Sequence, residues 1–415
     1  MPLTAAPALR QDLEVISLVG LAHGTSHFFH LLLPSLFPWL MLDFGLGFTQ
    51  AGALSTAFYV TSGAGQAAAG FLVDRLGARR VLLSGVGLFG LAAIVLGLAR
   101  GYGGLLLAAV LAGAANSVFH PADFTLLNRR VSSPRLGHAF SAHALSGNIG
   151  WAAAPLFLTT LAAGLGWRAG AFCAAAVPVV PFALLALRGD AIADRQERSG
   201  EPASTREAAP TFAFLGLGAV WTCFLFFLVS TMAFGALQNF GPPVFRQSYR
   251  LPLGAAASAL TAYLLGSAAG IVAGGFLAAG REAHERVIAV GLSAAALAAL
   301  VLASGAVPAW SVLPAMAFIG FCTGGATPSR DLLVRHAALA RAGAGAFGRV
   351  YGFVYSGLDV GLALAPLLFG WLLDAGHFRS VLVGVAVLQG LAVLAALAAG
   401  RFAVRPRAAS RLAAT

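Results

Sequence analysis

Twelve times along its 415 residues this chain sustains an apolar run close to the 20 or so residues that cross a bilayer as a helix, and no other feature restricts the fold as much. The runs fall near residues 15–42, 51–73, 81–100, 103–128, 137–164, 168–187, 212–240, 254–279, 286–305, 308–333, 347–373 and 379–400. Inside lipid the backbone must satisfy its own polar groups, so each run is expected as one membrane-spanning helix and the fold class as an all-α integral membrane protein. Hydrophobic residues make up 59% of the chain and charged ones 10%, well short of the roughly one quarter charge of a soluble domain.

The arginines orient the spans. All 26 cations are Arg, and with the N-terminus inside, 21 of them fall on the cytoplasmic side. Only Arg100, Arg168, Arg246, Arg250 and Arg379 fall on the other, and an odd number of spans would scramble that partition. Both termini are expected in the cytoplasm. Arg in place of Lys, with much Ala, Gly and Leu, points to a GC-rich bacterial genome and hence to the bacterial inner membrane. The net charge of +11 does not mark a nucleic-acid partner, because the arginines cap apolar runs and form no basic face. The three cysteines, Cys173, Cys223 and Cys322, lie inside apolar runs without CxxC spacing, so neither a disulfide framework nor a thiolate metal site is expected. The first run is too long for a signal-peptide core and is expected to remain as a span.

The chain also repeats itself. Gly70-Phe-Leu matches Gly275-Phe-Leu at an offset of 205 residues, and Gly113 through Pro121 matches Gly320 through Pro328 at 207. Gly137, Asn148, Gly150 and Pro155 match Gly348, Asp359, Gly361 and Pro366 at 211. A slowly drifting offset is what duplication and small loop insertions leave behind. The domains read as residues 1–187 and 211–415, two pseudo-symmetric six-helix bundles, joined by a polar cytoplasmic linker at 188–210.

Ionisable groups inside a span are costly and mark candidate sites. The first span carries His23, His27 and His30 at i, i+4 and i+7, one narrow stripe of a helix. The fourth carries Asn116, His120 and Asp123 at the same spacing, and the fifth adds His138, His143 and Asn148. Imidazoles beside a carboxylate exchange protons near neutral pH, so His27, His30, His120 and Asp123 are expected to couple protons or to recognise substrate. Packing between helices is the competing role for the same polar groups. The spacing of His23, His27, His120 and Asp123 also permits a transition-metal site, but no HExxH motif or cysteine pair accompanies it, so no metal or other cofactor is expected. In the second half Asp359 is a mid-span carboxylate in need of a partner or a proton, and Gln238, Asn239 and Tyr355 offer neutral hydrogen bonding to a substrate. No catalytic triad, paired-carboxylate arrangement or phosphate loop is present in the sequence, so an enzyme is not expected.

Between the second and third runs stands Gly70-Phe-Leu-Val-Asp74-Arg75-Leu-Gly77-Ala-Arg79-Arg80. Gly70 removes a side chain where a neighbouring helix approaches, and Gly77 supplies the freedom of a short helix-to-helix turn. Asp74 ends a helix against the macrodipole and needs the cations Arg75, Arg79 and Arg80 beside it. The stretch resembles the signature loop of the major facilitator superfamily, a resemblance that extends over essentially the whole chain. It implies the fold of that family, a cavity lined by the first and fourth spans, and a cytoplasmic latch between the halves made by Asp74, Arg75 and Arg79. The second copy has Ala279 in place of the Asp, so the latch is asymmetric.

Ser26-His27-Phe-Phe-His30 followed by Leu33-Pro34-Ser-Leu-Phe37-Pro38, then Asn116-Ser-Val-Phe-His120-Pro121, then Gly147-Asn148-Ile-Gly150 with Pro155, resemble the fosmidomycin-resistance branch. That resemblance implies drug efflux by proton antiport. The chain departs from the branch where His30-Leu31 replaces Asn-Asp, and where Ala122 stands in place of a Glu with Asp123 one position later. The expected function is a secondary transporter moving a small molecule by alternating access, with proton-coupled efflux as the first direction. The alternatives are proton symport for uptake of a metabolite, siderophore or metal chelate, and a membrane sensor that carries no flux.

Overall fold

In the computed structural model, which describes residues 5–132, 135–192, 216–278, 283–339 and 347–404, the apolar runs are helices and the described residues contain no strand. The helices are α1 (Ala5–His30), α2 (Leu32–Phe44), α3 (Phe48–Leu76), α4 (Ala78–Leu98), α5 (Tyr102–Asn116), α6 (Phe119–Arg130), α7 (Leu136–Leu165) and α8 (Trp167–Ala176). They continue as α9 (Val179–Leu187), α10 (Gly189–Ile192), α11 (Gly218–Tyr249), α12 (Leu253–Ala278), α13 (His284–Ser304), α14 (Val312–Leu339), α15 (Phe347–Asp374) and α16 (Phe378–Val404). Counting α1 with α2, α5 with α6 and α8 with α9 as interrupted rods, eleven rods among the described residues are long and apolar enough to cross a membrane. A twelfth, α3, is a continuous helix of 29 residues.

Three spans expected as single helices are broken, and proline accounts for each break. Pro34 has no N–H to give the carbonyl of His30, and α1 ends there. Pro121 stands in the same relation to Ser117, between α5 and α6, and Pro181 to Val177, between α8 and α9. Proline alone does not decide the matter: Pro155, Pro328 and Pro366 sit inside α7, α14 and α15, which run on. The expected linker begins as the helical turn α10, and its residues 193–210 lie outside the described residues.

The chain divides into two compact units, residues 1–202 and 203–415. In the first, α1 packs on α7, α3 on α5 and α4 on α8. In the second, α11 packs on α15, α12 on α14 and α13 on α16, the same pairing at the same places in the order of spans. Glycine makes the closest of these contacts in both units. A Cβ added at Gly150 would overlap the carbonyl oxygen of Gly24, and one at the matching Gly361 would overlap that of Leu228. Gly113 meets the carbonyl of Phe58 on α3, and the matching Gly320 meets that of Tyr263 on α12. Without side chains at these points the helix backbones approach until dispersion contact is continuous, the main source of attraction between helices in lipid.

Candidate functional site

The close approach of α1 and α7 creates the polar centre of the first unit. A Cβ at Gly147 would stand 2.6 Å from the His27 ring, so the glycine is the space into which that imidazole fits. With Gly24 and Gly150 it brings the face of α1 that carries His23 and His27 against the face of α7 that carries His143. The His23 and His143 rings stack with centroids 3.5 Å apart, and His27 lies 4.3 Å from His23 on one side and 4.1 Å from the Trp151 indole on the other.

From α6, Asp123 enters this layer of rings. Its side chain is wholly buried, with Oδ2 accepting from His143 Nε2 at 3.1 Å and lying 3.2 Å from His23 Nδ1. His120, one turn earlier on α6, has its ring centroid 5.6 Å from that of His23 and donates from Nδ1 to Gln66 Oε1 at 3.3 Å. His23 and His143 are buried, whereas His27 and His120 are half-buried. The carboxylate therefore faces imidazoles, not an open space.

A second polar group sits where two helices are interrupted. Asn116, the last residue of α5, accepts on Oδ1 from Ser26 Oγ at 2.5 Å and from His30 Nε2 at 2.8 Å. Its Nδ2 donates to Ser62 Oγ at 2.8 Å. His30 is the last residue of α1, so both partners stand at helix ends that proline has opened. Stacking of His27 on His30, with centroids 4.8 Å apart, links this group to the Asp123 cluster. Of the residues expected from the first half, His27, His30, Asn116, His120, Asp123 and His143 thus form one connected set.

The others stand elsewhere. Asn148 donates to Ala144 O at 3.2 Å on its own helix, and His138 is exposed. In the second unit Asn239 donates to Gly235 O at 2.8 Å, again within its own helix, and Gln238 is buried beside it on α11. Tyr355 donates to Asp331 Oδ1 at 3.2 Å, and Asp331 also accepts from Arg330 Nε at 2.9 Å. Asp359 is half-buried on α15.

In the loop signature, Gly77 joins α3 to α4 with φ of 84°, a left-handed conformation that favours glycine. Arg79 reaches across its own unit to the end of α9, donating to Ala186 O at 2.8 Å and Leu185 O at 3.4 Å. It caps carbonyls that the end of that helix leaves open. Arg75 and Arg80 are exposed, Gly70 and Asp74 belong to α3, and the side chain of Asp74 lies outside those described.

Reading the sequence for charge misses four members of the set. Ser26, Ser62, Gln66 and Trp151 hold Asn116, His120 and His27 in place, but Ser and Trp are common in spans for packing alone. The i, i+4 spacing of Ser62 and Gln66 is the one signal that marks a polar stripe on the second span.

The model of the Major Facilitator Superfamily matches residues 19–348. Among curated proteins, the fosmidomycin resistance protein of Escherichia coli is 29% identical over 157 residues, 38% of each chain. The membrane sensor protein UhpC of the same species is 24% identical over 387 residues, covering 86% of this chain and 85% of that one. The puromycin resistance protein pur8 of Streptomyces alboniger is 31% identical over 164 residues, 39% of this chain and 32% of its own. The chain thus spans well under half the length of the two resistance proteins it matches. Two solved structures share the fold: the nucleoside transporter NupG, with TM-score 0.73 at 15% identity over 94% of this chain and 99% of that one, and a bacterial homolog of the lysosomal transporter Spinster, with TM-score 0.72 at 15% identity over 93% and 96%. With a family match over most of its length and this architecture over nearly all of it, the chain belongs to the major facilitator superfamily.

Proposed function

We propose that the chain is a secondary transporter that exports a small organic compound from the bacterial cytoplasm by alternating access, driven by proton entry. The observation that carries this reading is the enclosed cluster on α1, α6 and α7. Five imidazole and carboxylate side chains enclosed in a membrane bundle are costly to keep for packing alone, since polar pairs between spans contribute only about 0.6 kcal/mol on average. The names of the fosmidomycin and puromycin resistance relatives support export.

In this reading His27, His30, Asn116, His120, Asp123 and His143 recognise the substrate. Gln238 and Asn239 on α11 offer neutral hydrogen bonding to substrate. Asp359 takes the driving proton: it is a half-buried carboxylate in the middle of α15, where an ionisable group is costly unless used, and Tyr355 lies one turn before it on the same helix. The loop residues Asp74, Arg75, Arg79 and Arg80, with Gly70 and Gly77, act as the cytoplasmic gate, and both termini lie in the cytoplasm.

The test uses inverted vesicles with an imposed pH gradient, with fosmidomycin and puromycin as first probes. Proton exit from the vesicle lumen on adding compound, reduced at least tenfold in His120→Ala and Asp123→Asn, supports the proposal. Wild-type flux in both variants removes the recognition set. Proton movement of the opposite sign indicates symport. The extended match to UhpC favours a second reading, a membrane sensor, which predicts ligand-dependent tryptophan fluorescence with no flux.

A further inference from the structure

The hydrogen bond between His143 and Asp123 accounts for only part of the cluster. His23 Nδ1 lies 3.2 Å from Asp123 Oδ2 yet makes no hydrogen bond among the described residues, and Asp123 Oδ1, His27 Nδ1 and His30 Nδ1 are likewise buried without a hydrogen-bond partner among them. Polar atoms buried this deeply nearly always have partners, so several in one place mark the seat of something that supplies them.

The spacing identifies its chemistry. Ligands about 2.0–2.1 Å from a tetrahedral metal centre stand roughly 3.3 Å apart. Asp123 Oδ2 is 3.1 Å from His143 Nε2 and 3.2 Å from His23 Nδ1. The ligating atoms of His23, Asp123 and His143 all lie within 4.8 Å of one another, and so do those of His23, His27 and His120. The first triad is fully buried, while two members of the second are half-buried. His23 belongs to both, and an imidazole has two nitrogens.

We propose that His23, Asp123 and His143 bind a divalent transition-metal ion of the class that takes nitrogen and oxygen ligands, with His23, His27 and His120 as the station through which it arrives. Imidazole and carboxylate together suit ions such as Zn2+ and Co2+ and exclude the soft, thiolate-seeking ones. Three protein ligands leave a fourth position for a donor from a chelating molecule. The inference rests on the recognition role proposed above and deepens it: the organic compound is recognised through a metal ion, which either sits in the site beforehand or arrives held in the compound as a chelate. A single carboxylate beside the ion lowers the cost of burying either charge.

Purified, tag-free protein, stripped with a chelator and placed in lipid nanodiscs, is titrated with Co2+ alone and with Co2+ presented as its citrate complex. Stoichiometric binding with intense visible absorption bands, the mark of tetrahedral coordination, is expected. Binding of Co2+ alone identifies the free ion as ligand, and binding of the citrate complex only identifies a chelate. Because disturbing partners outside the ligand set already costs 10–100-fold in affinity, losing a ligand in the near-isosteric Asp123→Asn or in His143→Gln should weaken binding by at least about tenfold. His27→Gln should slow uptake more than it weakens final affinity. Absence of stoichiometric binding of Co2+ in either form, alone or as the citrate complex, or bands as weak as those of the aqueous ion, overturns the proposal without any variant. Full affinity retained in Asp123→Asn and His143→Gln overturns it as well. Flux of organic probes is read separately, so failure of the metal site leaves the transport reading standing, and failure of flux leaves the metal result standing.

Discussion

At one register of the repeat the two units carry opposite charges, the first wholly buried and the second half-buried. The offset of 207 residues that aligns Pro121 with Pro328 places Asp123 on Arg330. The glycine contacts align Gly24 with Leu228 and hence His23 with Phe227. In the first unit the carboxylate lies against His23; in the second the guanidinium lies 4.7 Å from the centroid of the Phe227 ring. His143 is matched by Val354, and Arg330 donates to Asp331, which also accepts from Tyr355; Phe227 and Val354 belong to an apolar core drawn from α11, α13, α14, α15 and α16.

The backbone contacts are thus alike while their polar filling has diverged. A side chain at Gly150 or Gly361 would force the paired helices away from each other, whereas a side chain beside them can be exchanged for another of similar volume. Scaffold is what the halves share, and chemistry is where they differ.

The largest effect should come from breaking what the halves share. Gly150→Val, and separately Gly361→Val, drives methyl groups into a facing backbone and should cost about 3 kcal/mol each, read as a fall in the thermal unfolding midpoint in detergent. If one substitution is tolerated and the other is not, the equivalence of the two contacts fails. Next come the charges. Arg330→Met removes the guanidinium beside the partly exposed Asp331, which keeps its hydrogen bond from Tyr355, and should cost about 1 kcal/mol, less than breaking a fully buried pair because water reaches the carboxylate. Asp123→Asn, nearly isosteric, should change stability less than Arg330→Met while lowering flux at least tenfold, and the reverse order would sink the division between scaffold and chemistry.

Asp359→Asn should leave ligand binding within about twofold of the parent and abolish the dependence of flux on an imposed pH gradient. Because it exchanges one carboxyl oxygen for an amide, a fold effect is expected to be small. The smallest change is Arg79→Gln: two hydrogen bonds from a half-exposed cation to the end of α9 should be worth less than about 1 kcal/mol, again read from thermal unfolding. If the gate role dominates, flux falls further than that loss of stability explains.

The spans, their number and the repeat were determined by the sequence alone, because a helix in lipid is dictated by length, apolarity and the need to close its own hydrogen bonds. So were the stripes of His23, His27 and His30 and of His120 and Asp123, since helical periodicity needs no knowledge of neighbours. Which of those groups meet was decided only in three dimensions. That Pro34 and Pro121 stand at helix interruptions while Pro155 and Pro366 sit inside continuous helices is not fixed by the residue type, since all four lack the same N–H. That His143 faces Asp123, while Asn148 five residues later turns back to its own helix, depends on which face of α7 the glycines press against α1. Periodicity places side chains around one helix, but which helix stands opposite, and how near, is set by packing.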